Sequence, residues 1–139
     1  MTGGVWVMDC SAASAFFLDE AASASIDPLI SGAARQELTL LVPSLFWFEL
    51  LNVLISAQRR GRIPHAQAVR LRNEADLLPL TVDPPLGSVQ RLRVHDLAVA
   101  HKLTAYDAAY LELAERKGAR LKSLDPDLLA LGRKYPWIE

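Results

Sequence analysis

The sequence predicts an α/β fold, a three-layer α/β/α sandwich built around a central parallel sheet. Short apolar, β-branched runs recur along the chain, and stretches of helical length separate them. Strands joined through helices form right-handed crossover units, which make the strands parallel and place helices on both faces of the sheet. The chain has 139 residues, the size of one domain, so we expect residues 1–139 to form a single domain.

The N-terminal part contains one predicted strand and two predicted helices. Residues 5–8 form an apolar run typical of a strand buried on both faces, and the run ends at Asp9. Ser11 and Ser14 can cap a helix that continues to about residue 20. A second amphipathic helix is predicted over residues 28–37, with proline as its first residue.

The middle of the chain begins with a predicted strand at residues 38–42. Pro43 and Ser44 then start a long helix that runs to about residue 60, where Gly61 ends it. A further helix is predicted over residues 65–77.

The C-terminal part continues the alternation of strands and helices. A strand at residues 78–82 precedes a helix at residues 86–102. Thr104 opens a helix over residues 105–117, which Gly118 closes. A strand follows at residues 120–124, and Pro126 starts the last helix.

Composition and charge set wide limits on function. The net charge is −1, from 15 basic and 16 acidic residues, so the chain as a whole lacks the basic excess of many nucleic-acid-binding domains. Local basic clusters, such as Arg59, Arg60 and Arg62, are typical of solvated helix faces. The lone Cys10 cannot form an internal disulfide, which suits a reducing compartment. No targeting segment or membrane span is recognisable, so we expect a cytoplasmic protein.

Glu49 is an unusual residue for its helix, which is apolar almost all round. Glu49, Asn52 and Ser56 follow each other at helical spacing and form one polar stripe that continues to Arg59 and Arg60. A carboxylate buried without partners is costly. The stripe therefore lines either a metal or substrate site or a satisfied ion pair.

Three aspartates follow predicted strands or begin predicted helices, and each also has a purely structural interpretation. Asp9 can accept hydrogen bonds in a turn, Thr104 and Asp107 fit a capping box, and Asp125 can cap a helix that begins with proline. Ligands of open parallel sheets bind at the carboxyl ends of the strands, which favours a site role for Asp9 and Asp125. No single aspartate decides between the structural interpretation and a role in a site.

Taken together, these segments carry a resemblance to a known family. The chain reads VWVMDCS at residues 5–11, ELLN at residues 49–52, LTAYDAAYLELA at residues 103–114 and LKSLDPDL at residues 121–128. In this order and over nearly the whole chain, it resembles the PIN domain, and specifically the VapC-type toxins of toxin–antitoxin modules. The resemblance implies an α/β/α fold, four converging acids, Mg²⁺ or Mn²⁺ as cofactor, and endonucleolytic cleavage of RNA.

The resemblance assigns the acids to Asp9, Glu49, Asp107 and Asp125. Asp9 and Asp107 would be the most direct metal ligands, and Glu49 and Asp125 would complete the pocket, partly through metal-bound water. Ser11, Asn52 and Ser123 would be supporting polar groups. Ser123 stands where members of the family often carry threonine and keeps the hydroxyl, and Lys122 is a basic residue within the strand.

A hard cation also fits the chemistry of these acids, since four carboxylates in one cleft repel each other unless a cation neutralises them. A metal-activated water can attack a phosphodiester in line with the leaving oxygen, and our hypothesis is hydrolysis that leaves 5′-phosphate ends. The resemblance also implies two protein partners: a second copy of the chain and a small antitoxin whose tail covers the acids. The long helix carries more apolar surface than a small sheet needs to cover, and this surface either packs in the core or supplies part of such an interface: Phe46, Trp47, Phe48, Leu51 and Ile55.

Two other functions remain open at this point. A phosphatase or receiver-like domain would phosphorylate Asp9, but such sites generally place a second acid nearby, and here Cys10 and Ser11 follow. A catalytically silent RNA- or protein-binding module on the same fold is the other alternative. His95 and His101 are six residues apart, which does not place them on one helix face, so we expect no histidine metal site.

Overall fold

The computed structural model describes residues 3–139 and contains one sheet of four parallel strands in the order β3-β2-β1-β4. The strands are β1 Val5–Met8, β2 Thr39–Val42, β3 Thr81–Val82 and β4 Arg120–Lys122. The helices are α1 Cys10–Leu18, α2 Glu20–Ala34, α3 Phe46–Arg59, α4 His65–Ala75, α5 Ser88–His101, α6 Ala105–Lys117 and α7 Pro126–Leu129, followed by a 3₁₀ turn at Ala130–Arg133. The predicted α/β fold with a central parallel sheet is therefore confirmed.

β1 is the central strand that holds the layers together. Val7 lies opposite Leu41 of β2 on one side and Leu121 of β4 on the other. Trp6, Val7 and Met8 are all buried. Burying a side chain of this size stabilises the fold by about 1.5–3 kcal/mol. α6 packs against β1, and other helices pack against the sheet. Because helices cover both faces of such a sheet, the side chains on both faces of β1 are apolar.

The helices at the start of the chain differ from the prediction. Asp9 caps α1 instead of Ser11 or Ser14, and the Ser14 hydroxyl donates to the Cys10 carbonyl inside the helix. α2 begins at Glu20, eight residues before the predicted start, because Asp19 accepts hydrogen bonds from the first backbone amides of the helix. Pro28 thus lies within α2. Apolar packing of this helix against its neighbours offsets the hydrogen bond that the proline cannot make.

Three strands are shorter than predicted, and β2 is so by one residue, since it begins at Thr39. β3 contains only Thr81 and Val82 of the predicted residues 78–82, since Pro79 cannot donate to a sheet ladder. β4 ends at Lys122, because the Leu124 amide donates to the Ser11 hydroxyl and leaves the strand direction. The C-terminal residues 137–139 hydrogen-bond along the free edge of β4, a pairing that the sequence did not predict.

The long helix α3 begins at Phe46, slightly later than the predicted start at Pro43 and Ser44. α4 and α5 match their predictions to within about two residues at each end. α6 has the predicted bounds, with Thr104 accepting a hydrogen bond at its start and Gly118 in the left-handed conformation at its end. No helix among residues 3–139 combines the length and apolar character that crossing a membrane requires.

Candidate metal centre

The carboxyl ends of β1 and β4 bring Asp9 and Ser123 together. Asp9 follows β1 directly, and Ser123 follows β4, which is the neighbouring strand. The Ser123 hydroxyl donates to Asp9 Oδ2 over 2.5 Å, and the Ser11 hydroxyl donates to Asp9 Oδ1 over 2.6 Å. The Ala12 amide donates to Oδ1 over 3.0 Å. Asp9 is only 3% exposed, so three donors hold its carboxylate in a fixed orientation.

The two serines connect Asp9 to the backbone that precedes Asp125. The Leu124 amide donates to the Ser11 hydroxyl, and the Asp125 amide donates to the Ser123 hydroxyl, both over 2.9 Å. Each hydroxyl therefore accepts a hydrogen bond from the loop while it donates to Asp9. This network fixes the loop after β4 against the start of α1.

Asp125 and Asp107 are both close enough to affect their acidic neighbours electrostatically. Asp125 Oδ2 accepts from the amides of Asp127 and Leu128 and caps α7, as the sequence predicted. Asp107 lies in the first turn of α6, and its amide donates to Thr104 Oγ1 over 3.1 Å. Burial raises the pKa of the Asp107 carboxyl, and the charges of Asp125, Asp9 and Asp127 raise it further.

Glu49 completes the group from α3. Its Oε1 accepts a hydrogen bond from the Tyr110 hydroxyl over 2.5 Å, and Tyr110 is a buried residue of α6. Burial raises the pKa of the Glu49 carboxyl, the bond from Tyr110 lowers it, and the charges of Asp107 and Asp9 raise it. The net shift is upward. Sequence reasoning included Tyr110 in the family motif but gave it no role.

Burial also raises the pKa of the Asp9 carboxyl, against the lowering effect of its three hydrogen bonds. Asp125 adds a further rise through its charge. In residues 3–139 no lysine or arginine forms an ion pair with Asp9, Glu49, Asp107 or Asp125. The four carboxylates thus repel each other, and no basic side chain of the described structure neutralises them.

This donor set fits a hard divalent cation. It offers only oxygen ligands, and its charge is uncompensated. No three of the His, Cys, Asp and Glu side chains in residues 3–139 are already arranged to hold a metal ion. Mg²⁺ retains several waters and takes only one or two carboxylates directly, so it does not require three converging protein ligands.

Within residues 3–139, the remaining predicted site residue, Asn52, and the histidines form no hydrogen bonds with these acids. Asn52 is exposed and lines a cavity with Ser56, and none of the hydrogen bonds in residues 3–139 joins it to the acids. The His101 ring nitrogen Nε2 hydrogen-bonds with the Tyr135 hydroxyl over 2.9 Å, and His95 is exposed.

Cys10 is buried, and burial, with the charges of nearby acids, raises the pKa of its thiol to about 12. Such a thiol stays protonated and unreactive near neutral pH.

Comparison with known proteins gives consistent matches over most of the chain. The family model described as PIN domain matches residues 7–134. Ribonuclease VapC3 of Pyrobaculum aerophilum is 31% identical over 140 residues, which cover 94% of each chain. Exonuclease VapC9 of the same organism is 37% identical over 97 residues, which cover 69% of this chain and 68% of the relative.

Solved structures agree with these matches. The crystal structure of PAE2754 from Pyrobaculum aerophilum has a TM-score of 0.65 at 32% identity, and the match covers 90% of this chain and 77% of that one. Mycobacterium tuberculosis VapC20, described as a toxin that cleaves the sarcin-ricin loop, has a TM-score of 0.61 at 18% identity, with 91% and 95% covered. At that identity the second match shows a shared fold only.

Proposed function

Because the chain belongs to the PIN-domain family, we propose that it is a metal-dependent endoribonuclease, the toxin of a toxin–antitoxin pair. The observation that carries this proposal is the group of four carboxylates at one end of the sheet. Three of them have raised pKa values, because Asp9 is buried, Glu49 and Asp107 are partly buried, and all three are repelled by acidic neighbours. Such a group is costly to the fold, and binding of a divalent cation would offset that cost.

Asp9 and Asp107 would be the most direct ligands of Mg²⁺ or Mn²⁺. Glu49 and Asp125 would complete the pocket, partly through water, and Ser11 and Ser123 would hold Asp9 in its orientation. A bound divalent ion supplies Lewis-acid chemistry, because it lowers the pKa of water and stabilises charge on a phosphodiester. The four acids would hold the ion, either directly or through water. Attack by water on phosphorus with departure of the 3′ oxygen would leave a 5′-phosphate and a 3′-hydroxyl end.

The two named relatives differ in the reaction their names give, one a ribonuclease and the other an exonuclease. A circular single-stranded RNA separates these possibilities, since an exonuclease needs a free end and an endonuclease does not. We expect purified protein to open the circle in the presence of Mg²⁺ or Mn²⁺ and to leave it intact with EDTA. Cleavage of linear RNA alone would favour the exonuclease.

The same assay tests the site. Asp107→Asn is expected to abolish metal-dependent cleavage, while Asp96→Asn, which makes the same change at an exposed position of α5, is expected to cleave normally. Melting curves of both variants show whether the fold is intact. Cleavage by a folded Asp107→Asn variant would contradict the proposed site. A folded wild-type protein that cleaves no RNA with either metal would favour the silent binding module.

Two protein partners form part of the proposal: a small antitoxin and a second copy of the chain. Phe48, Leu51 and Ile55 follow each other at helical spacing on α3, and Phe48 is 80% exposed. Exposed apolar side chains in a row are typical of interfaces. The protein would act in the cytoplasm, where RNA and the antitoxin are present. Sedimentation of wild type and Phe48→Ser would show whether this row forms a dimer, since a monomeric wild type would exclude the second copy.

A further inference from the structure

A second polar feature lies on α3, beyond the acids. Glu49, Asn52, Ser56 and Arg60 are spaced by three, four and four residues, which places them along one face of the helix and its end. Over those residues a helix rises about 16 Å, at about 1.5 Å per residue. α1 starts at the carboxylate group, ends at Leu18 and packs against α3. The two helices therefore connect the acids to the region around Leu18 and Arg60.

That region contains a cavity of about 460 Å³. Asn52 and Ser56 supply polar groups to its wall, and Arg60 and Arg62 supply two guanidinium groups. Leu18 and Ile63 contribute apolar surface. The cavity thus combines hydrogen-bonding side chains and positive charge with a hydrophobic wall, although the chain as a whole carries a net charge of −1.

The backbone between the two arginines lets both side chains reach this one cavity. Gly61 has a φ of +71°, a conformation that other residues rarely adopt, and it reverses the chain after α3. The Arg62 amide then donates to the Ala57 carbonyl over 2.9 Å, which fixes the reversed segment against the helix. The turn places two like charges at the same cavity.

Neither guanidinium has an acidic partner in the part of the chain that the structure describes. Arg93 and Arg116 form ion pairs with carboxylates in other parts of the structure, but no ion pair of residues 3–139 includes Arg60 or Arg62. Guanidinium groups bind phosphate through paired N–H donors, and asparagine and serine side chains are common donors to phosphate and sugar oxygens. The cavity therefore matches a phosphate and its attached sugar.

We propose that this cavity binds a backbone phosphate of the RNA strand, a few nucleotides away from the phosphate that is cleaved. The inference rests on the proposed ribonuclease function and adds a binding site to it. An RNA strand is favoured over an acidic protein segment because the cavity lies along the helix that carries Glu49, so one extended ligand reaches both. Arg60 and Arg62 position the substrate and take no part in the chemistry.

Binding of RNA as a function of salt tests the proposal directly. The Asp107→Asn protein, in EDTA, is titrated into a fluorescent single-stranded RNA of about 12 nucleotides, within the range of single-strand binding sites. Each phosphate neutralised on a single strand contributes about 0.7 to the slope of log K against log salt. Adding Arg60→Gln and Arg62→Gln together is expected to reduce the slope by about 0.7 and to weaken binding roughly tenfold at low salt.

Arg59→Gln is the matched control. Compared with Arg60→Gln alone, it removes the same charge from the same end of α3, but Arg59 does not line the cavity. An equal loss with Arg59→Gln would overturn the proposal.

Cleavage kinetics separate this proposal from the ribonuclease function itself. With Asp107 intact, Arg60→Gln/Arg62→Gln is expected to raise KM for a long RNA about tenfold and to leave kcat near the wild-type value. A double variant that binds and cleaves like wild type would refute the phosphate site and leave the ribonuclease function standing. If its affinity for an acidic peptide fell instead, the cavity would be a protein-binding site. A wild-type protein that neither binds nor cleaves RNA would refute both proposals.

Discussion

Replacing Ser123 by alanine is expected to weaken metal binding strongly while the fold persists. Ser123 is 1% exposed, and its hydroxyl donates to Asp9 Oδ2 over 2.5 Å while it accepts from the Asp125 amide. A hydrogen bond to a charged group contributes about 1.5–3 kcal/mol to stability. The loss of a group that orients a metal ligand typically lowers metal affinity about 10- to 100-fold.

The change also affects the pH at which metal binds. The bond from Ser123 lowers the pKa of the Asp9 carboxyl, against the larger effect of burial. Without that bond the pKa rises further, so the carboxylate form that a metal requires exists only at higher pH. The midpoint of Mn²⁺ binding is therefore expected to move to higher pH in Ser123→Ala.

Calorimetric titration with Mn²⁺ at several pH values measures both effects. Ser14→Ala is the control, because its hydroxyl bonds only to carbonyls within α1. Ser123→Thr restores the hydroxyl and is expected to recover metal affinity, even where its extra methyl group lowers the melting temperature in so buried a position. Unchanged metal affinity and pH midpoint in a folded Ser123→Ala protein would refute the reasoning.

Two of the remaining predictions concern the same group of acids, and the third concerns the ion pairs of Arg116. Tyr110→Phe removes the donor that lowers the pKa of the Glu49 carboxyl, so the acidic limb of the pH–rate profile is expected to move to higher pH; an unchanged profile would contradict this. Asp107→Asn is expected to raise the melting temperature of the metal-free protein at neutral pH. A raised carboxyl pKa stabilises the fold below the ordinary carboxyl pKa, and this contribution is lost as the pH rises through the raised value. The stabilising effect of Asp107→Asn should therefore vanish in acid, and a pH-independent difference in melting temperature would refute it. Arg116→Ala leaves two buried carboxylates without their cation and is expected to cost about 3–5 kcal/mol by urea denaturation. Arg93→Ala, at an exposed pair, is expected to cost less than about 1 kcal/mol, and similar losses for the two variants would contradict this account.

The sequence predicted elements well where chemical signals mark both ends. α6 is the clearest case, since a threonine accepts the first hydrogen bond and a glycine in the left-handed conformation ends the helix. The prediction was wrong where one residue type has two possible roles. The sequence predicts a helix that begins at Pro28, but this residue lies inside α2, because Asp19 supplies the cap and tertiary packing compensates for the proline.

The positions of the acids after strands, at helix starts and on an apolar helix made them candidates, and the family resemblance assigned them to the site. The residues that contact them could not be found from local pattern: the resemblance alone supplied Ser11 and Ser123, and it gave Tyr110 no role. Tyr110 and Glu49 are 61 positions apart, and Ser123 and Asp9 are 114 positions apart. No local pattern connects such pairs, since the packing of helices brings the first pair together and the order of the strands the second. The pairing of residues 137–139 with β4 escaped prediction for the same reason.

Helix capping and metal binding were competing interpretations of the aspartates in the sequence, but the structure makes them compatible. Asp125 caps α7 through Oδ2, which leaves Oδ1 without a capping role. Asp9 accepts the Ala12 amide at Oδ1, and its Oδ2 faces Ser123. Asparagine caps helices about as well as aspartate but carries no charge. Exchange of Asp125 for asparagine therefore separates the two roles: the remaining oxygen keeps the cap, and a loss of cleavage in a folded variant is due to the missing negative charge.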